Sequence, residues 1–216
     1  MISPFLDDYG LTVAEFLERK ARSSEATAWT YGKALGKLAL CFEVESADVV
    51  ADQVRAHKLD AYKALDKFVS YLIGQGLVPK TVVTYVTAAS GFFRYEEIDV
   101  DPYRFKTRVE FPKNVEISID RIPTRDEMKT ILLASPPRTT AIISLVSTSG
   151  FRIGEVANLR IGNVDFTTGK LGLLSKNSKS RRNRISFVSQ ESLTFLKQYL
   201  GPRLKREPSD HTPLCV

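Results

Sequence analysis

Two short stretches in the second half of this 216-residue chain carry the residue types best suited to chemistry. The first is Thr148-Ser149-Gly150-Phe151-Arg152-Ile153-Gly154-Glu155-Val156-Ala157-Asn158-Leu159. An arginine follows a Ser-Gly turn at what reads as a helix start, and Glu155 lies three residues on, on the same helical face. A guanidinium held by a carboxylate is a fixed fork that suits two oxygens of a phosphate. Taken alone, R-x-x-E is more often a solvated surface pair. Here a buried helix precedes it and three short strand candidates follow it. The second stretch is Lys176-Asn177-Ser178-Lys179-Ser180-Arg181-Arg182-Asn183-Arg184, in which five of nine residues are basic and none acidic. A charge run is commonly just a solvated loop. Without acidic partners, however, this one repels itself unless an anion is bound, and contact of such a hairpin tip with backbone phosphates needs no base specificity.

Charge distribution agrees with an anionic partner for this half. Residues 1–110 carry 14 basic and 16 acidic groups, whereas residues 111–216 carry 17 and 9, within a formal net charge of +6. The second half is therefore the better candidate for contact with a polyanion. Composition is that of an ordinary globular protein, with 43% hydrophobic and 26% charged residues, which argues against disorder, collagen or coiled coil. The longest apolar runs, such as Ala141 to Val146, are too short to span a bilayer. Met1 to Gly10 has no signal-peptide pattern. Two cysteines and two histidines make neither a disulfide framework nor an easy zinc site. A reducing, cytoplasmic setting without membrane contact is expected.

The elements that must position these residues are mostly helical. In the first half, Thr12 and Glu15 read as a capping box ahead of Val13, Phe16 and Leu17. Ser23 or Ser24 can cap a second helix with Tyr31, Leu35, Leu38 and Phe42 on one face. A third helix is expected over Asp52 to Ile73, closed by Gly74 to Gly76. Pro79 opens a fourth, with Val82, Val86, Ala89 and Phe93 at helical spacing. Four helices joined by short loops make a small bundle, assigned to residues 10–100. Residues 101–122 read as a basic linker, extended at its prolines.

The remaining residues, 123–216, open with a capping box at Thr124 and Glu127. A buried helix follows around Thr140 to Ser147, and a helix resumes over Arg152 to Leu159. Three strand candidates come next, Asn163 to Phe166, Leu171 to Lys176 and Arg184 to Val188, joined by Thr167-Thr168-Gly169 and by Asn177 to Asn183. Ser189 caps a last helix that Gly201-Pro202 should stop. The predicted fold is mainly α: a four-helix domain, then an α+β domain with a small three-stranded antiparallel sheet.

Arg121 to Val188 resembles the start of the catalytic domain of tyrosine recombinases, the phage-integrase family, in an Xer-like or archaeal style. The family's first catalytic arginine lies in a motif like T-G-x-R-[IV]-x-E-[LV]-x-x-L, which Thr148 to Leu159 matches with Ser149 preceding Gly150. The first half resembles the family's SAM-like core-binding domain, through Thr27 to Phe42 and through Lys80-Thr81 to Phe93, like its T-x-x-x-Y…F-F helix. The resemblance implies a clamp on duplex DNA and no metal or cofactor. It implies attack of a tyrosine on the scissile phosphate to give a 3′-phosphotyrosyl link and a free 5′-hydroxyl. Arg152 would hold the non-bridging oxygens and stabilise transition-state charge, with Glu155 orienting it. Lys176, in the loop between the second and third strands, would protonate the leaving 5′ oxygen, and Lys179 is its rival. Arg181, Arg182 and Arg184 would join Lys179 in DNA contact. From the helical domain Thr27, Lys33, Lys37, Lys80, Thr84 and Thr87 are the candidates for groove or phosphate contact. Their competing reading is an exposed polar helix face.

The family also needs a later H-x-x-R, then a His or Trp, then the nucleophilic tyrosine. His211 is followed by Thr212-Pro213-Leu214 and does not fit. Tyr31, Tyr85, Tyr95 and Tyr199 read as packing residues and His57 as solvated. The expectation is an incomplete recombinase, monomeric off DNA, that binds duplex DNA alone without cutting it, and that meets other recombinase protomers on DNA. The alternatives are a naturally short regulator or decoy of a full-length recombinase, a partner that supplies the tyrosine in trans, and an unrelated helical interaction module.

Overall fold

A computed structural model describes residues 10–113, 121–175, 182–204 and 211–214. It is mainly helical, with one two-stranded antiparallel sheet among these residues. The chain divides into two compact units, Met1–Ile119 and Asp120–Val216.

The first unit contains six described helices rather than four: α1 Leu11–Ala21, α2 Glu25–Phe42, α3 Ala47–Arg55, α4 Ala61–Gly74, α5 Pro79–Tyr95 and α6 Pro102–Arg108. Their apolar faces meet in one core built on Phe16, Leu35, Leu38, Leu65, Phe68, Leu72, Phe92 and Phe93. Phe16 and Phe92 meet edge to face at 5.5 Å, the arrangement favoured by the ring quadrupole.

Three local readings change here. Thr12 and Glu15 do not cap α1. Gly10 is the N-cap, and the Asp48 carboxylate of α3 accepts the Val13 N–H at 3.1 Å. A Cβ on Gly10 would fall 1.6 Å from Asp48 Oδ2, so this approach needs glycine. The single helix expected over Asp52 to Ile73 is two. Its break holds His57 at φ 54°, and Asp60 restarts the helix by accepting the Lys63 N–H at 2.9 Å. The segment expected to be an extended linker folds, over Pro102–Arg108, as a helix. Asp101 accepts the Arg104 N–H at 2.8 Å, and Pro102 stands at the first helical position, where its missing N–H costs nothing. Beyond it Val109 is buried in the same core and Glu110 N–H donates to Asp66 at 3.0 Å.

The second unit runs α7 Arg125–Ala134, α8 Pro137–Ser149, α9 Ile153–Ala157, a 3-10 turn Ile161–Asn163, β1 Lys170–Leu173, β2 Arg184–Phe187 and α10 Gln190–Leu204. The capping box at Thr124 and Glu127 is present, and Ser189 Oγ accepts the Ser192 N–H at 3.1 Å at the start of α10. Strands β1 and β2 pair with Lys170 opposite Phe187 and Leu173 opposite Arg184. The expected first strand reduces to a single bridge from Val164 to Leu171. The cause is Asp165, whose Oδ1 accepts the N–H groups of Thr167 and Thr168 at 2.8 and 3.2 Å and turns the chain at once. Gly201-Pro202 does not stop α10, which continues to Leu204.

The core of this unit gathers Leu145, Val156, Leu159, Leu171, Leu193, Leu196 and Leu200 around α8 and α10. Hydroxyls join the same two helices: Ser144 Oγ donates to Ser192 Oγ at 2.6 Å, and Thr148 and Ser189 lie 3.1 and 3.0 Å from that oxygen. Near the end of the chain, Ile161 N–H donates to Thr212 O at 2.9 Å and Leu214 N–H to Leu159 O at 2.8 Å. Leu214 is thereby buried in the core beside the segment that follows α9.

Candidate phosphate-binding site

The site begins with a change of direction. Helix α8 ends at Gly150, whose φ of 66° is the left-handed conformation that glycine adopts without strain. Ser149 secures the turn: its Oγ donates to Leu145 O at 2.6 Å and accepts the Phe151 N–H at 3.1 Å. Phe151 is buried. Arg152 then stands at the N-cap of α9, with Glu155 at the third helical position.

Glu155 reaches back to Arg152. Its Oε2 accepts the Arg152 backbone N–H at 3.0 Å and its Oε1 accepts Arg152 Nη1 at 3.3 Å. The Glu155 side chain is 3% exposed and that of Arg152 60%. The carboxylate is thus a buried support and the guanidinium an outward one. The backbone N–H of Arg152 holds the Glu155 carboxyl below the usual carboxylate range. Burial works against this, and the positive charges of Arg184 and Arg152 reinforce it. Glu155 therefore stays ionised at neutral pH, and Arg152 offers donors to an anion without leaving its own partner.

Lys176, Lys179 and Arg181 lie outside the described residues. Arg182 is exposed. Arg184, a candidate for DNA contact, opens β2 where the strand candidate Arg184 to Val188 begins, and its Nη1 donates to Glu155 Oε2 at 3.1 Å. The signal for this was alternation: with Ile185 and Phe187 exposed, Arg184 and Ser186 turn to the opposite face of the strand. At the mouth of the loop, Ser175 N–H donates to Asn183 Oδ1 at 2.7 Å.

In the first unit the candidates lie on two helices that pack together, α2 and α5. Thr27 is half-buried in the first turn of α2, its N–H capped by Ser24 Oγ at 3.2 Å. Lys33 is exposed, with Nζ 3.6 Å from the centre of the Trp29 ring, and Trp29 is itself 55% exposed. Lys37 is half-exposed; Lys80, Thr84 and Thr87 are exposed. Thr84 Oγ1 donates to Lys80 O at 2.9 Å within its own helix. Tyr31, Tyr85 and Tyr95 pack against the first core and Tyr199 against the second.

Among the described residues no group of three or more His, Cys, Asp or Glu side chains is arranged to hold a metal ion. No described helix is long and apolar enough to cross a membrane.

Residues 122–215 match the model of the phage integrase family. The chain is 28% identical over 148 residues to the tyrosine recombinase XerA of Thermococcus kodakarensis, covering 67% of this chain and 50% of that protein. It is 27% identical over 143 residues to XerA of Pyrococcus horikoshii, covering 66% and 48%. With the tyrosine recombinase XerC of Thermodesulfovibrio yellowstonii it shares 28% identity over 165 residues, covering 69% and 52%. A crystal structure of XerA recombinase aligns at 20% identity and a TM-score of 0.39, covering 95% of this chain and 68% of that one. The chain spans about half the length of the curated relatives it matches.

Proposed function

We propose that this chain is a member of the tyrosine recombinase family, a reading supported by the phage integrase match over residues 122–215 and by the Xer relatives, and that it serves site-specific DNA recombination by binding duplex DNA and holding a backbone phosphate at Arg152. On this reading the helical first unit and the basic second unit each contribute contacts to duplex DNA. The observation that carries this reading is the exposed Arg152 guanidinium fixed on the buried Glu155 carboxylate. Such a fork is preorganised for the two non-bridging oxygens of a phosphodiester and for the charge that grows on them during displacement. Lys176 or Lys179 supplies the proton that the leaving 5′ oxygen needs.

The 216 residues contain no H-x-x-R followed by a tyrosine. We therefore assign this chain alone binding without strand cleavage; the tyrosine that forms the phosphotyrosyl bond comes from outside it. In a gel-shift experiment with duplex DNA at low salt, the chain is expected to retard the duplex, and a denaturing gel of the same mixture to show no covalent adduct. Absence of a shift at about 50 mM salt, where phosphate contacts are strongest, overturns the DNA-binding reading. A covalent adduct formed by the chain alone overturns the assignment of the nucleophile.

A further inference from the structure

Arg184 has surroundings that its place in a basic run does not suggest. It opposes Leu173 in the β1–β2 ladder, so it stands at the base of the hairpin whose loop contains Lys176. Its Nη1 lies 3.1 Å from Glu155 Oε2, the same oxygen that accepts the Arg152 backbone N–H at 3.0 Å. Its guanidinium carbon is 5.2 Å from the centre of the buried Phe151 ring, within cation–π range. Two residues on, on the same strand face, Ser186 Oγ donates to Ser149 O at 2.6 Å. Strand β2 is therefore fastened twice to the turn that presents Arg152, once through a hydroxyl and once through a shared carboxylate.

We propose that Arg184 is a positioning residue: through the buried Glu155 carboxylate it sets the Arg152 guanidinium, the anion-holding group of the site. The proposal rests on the role given above to Arg152. Its physical core is charge sharing. A carboxylate between two guanidiniums neutralises only one positive charge, so the cluster keeps a net positive charge for a phosphate while Glu155 holds Arg152 in place. A phosphate contact made by Arg184 itself is the competing role, and the two differ in how they combine with loss of Arg152.

Two measurements on the whole chain decide the matter. In the free protein, the Arg184→Gln variant is followed by NMR at the Glu155 carboxyl carbon and at the Arg152 Nε–Hε pair. The Glu155 titration is expected to move to higher pH and the Arg152 signal to shift. If both are unchanged, Arg184 does not act through Glu155 and the proposal is wrong. On duplex DNA, Arg184→Gln is expected to weaken binding roughly three- to tenfold in the native background and to have little effect when combined with Arg152→Ala, the pattern of a coupled pair. Losses that simply add show a direct phosphate contact and overturn the proposal. Should the Gln variant fail to fold, Arg184→Lys keeps a cation at the site and is expected to preserve the Glu155 titration; a folded Lys variant whose loss adds fully to that of Arg152→Ala contradicts it. If the native chain binds no duplex at all, the DNA-binding reading fails, while the two NMR signals still decide whether Arg184 positions Arg152.

Discussion

Glu155 is ionised although its side chain is 3% exposed, and this fixes how the site responds to pH. Its carboxyl titrates below its ordinary value, chiefly because the Arg152 N–H donates to it. A depressed carboxyl contributes stability that is present above the unfolded value of about 4.3 and lost as pH falls through the folded one. Replacing Glu155 by Gln is expected to lower stability at neutral pH by about 1.5–3 kcal/mol, the range for a hydrogen bond to a charged group. The gap between native and variant should close as acid protonates the native carboxyl. Denaturant melts at neutral pH and near pH 3 check this, and a gap that is the same at both contradicts it. The Arg152–Glu155 pair was legible in sequence because it is local, three residues apart on one helix. Arg184 was not, because its partner lies 29 residues away and is fixed by strand register rather than by spacing.

At the scale of elements, glycines separate turns that tolerate a side chain from turns that do not. Gly150 and Gly169 both have positive φ, 66° and 76°. A Cβ at Gly150 would meet open space, whereas at Gly169 it would fall 2.6 Å from the Val188 backbone oxygen. Gly150→Ala is expected to cost about 1–2 kcal/mol, the strain of a left-handed alanine. Gly169→Ala should cost clearly more, since the β1–β2 hairpin must also open. Thermal melts of the two variants give the order, and a Gly150 variant that is the less stable one would refute it. Helices whose apolar spacing is unbroken, such as α2 and α5, were readable from periodicity. The division between α3 and α4 was not, because apolar spacing runs on through it and only the Asp60 cap and the backbone at His57 mark it. Pro102 misled for a related reason: proline disfavours helix for the residue before it, yet suits the first helical position once Asp101 provides the cap. The cap on α1 had no local signal at all, since Asp48 reaches it from another helix.

For the whole molecule, electrostatics is unevenly spread. The excess of basic over acidic residues lies in residues 111–216, the half that holds Arg152 and the basic hairpin. If that charge meets DNA phosphates, binding must release condensed counterions and so must weaken steeply with salt. The central claim is therefore tested most directly by duplex DNA affinity measured across a salt series. The expected result is a linear fall of log affinity with log salt, with a loss of about tenfold or more between about 50 and 200 mM. Affinity that does not change with salt, or no binding at the lowest salt, would contradict it.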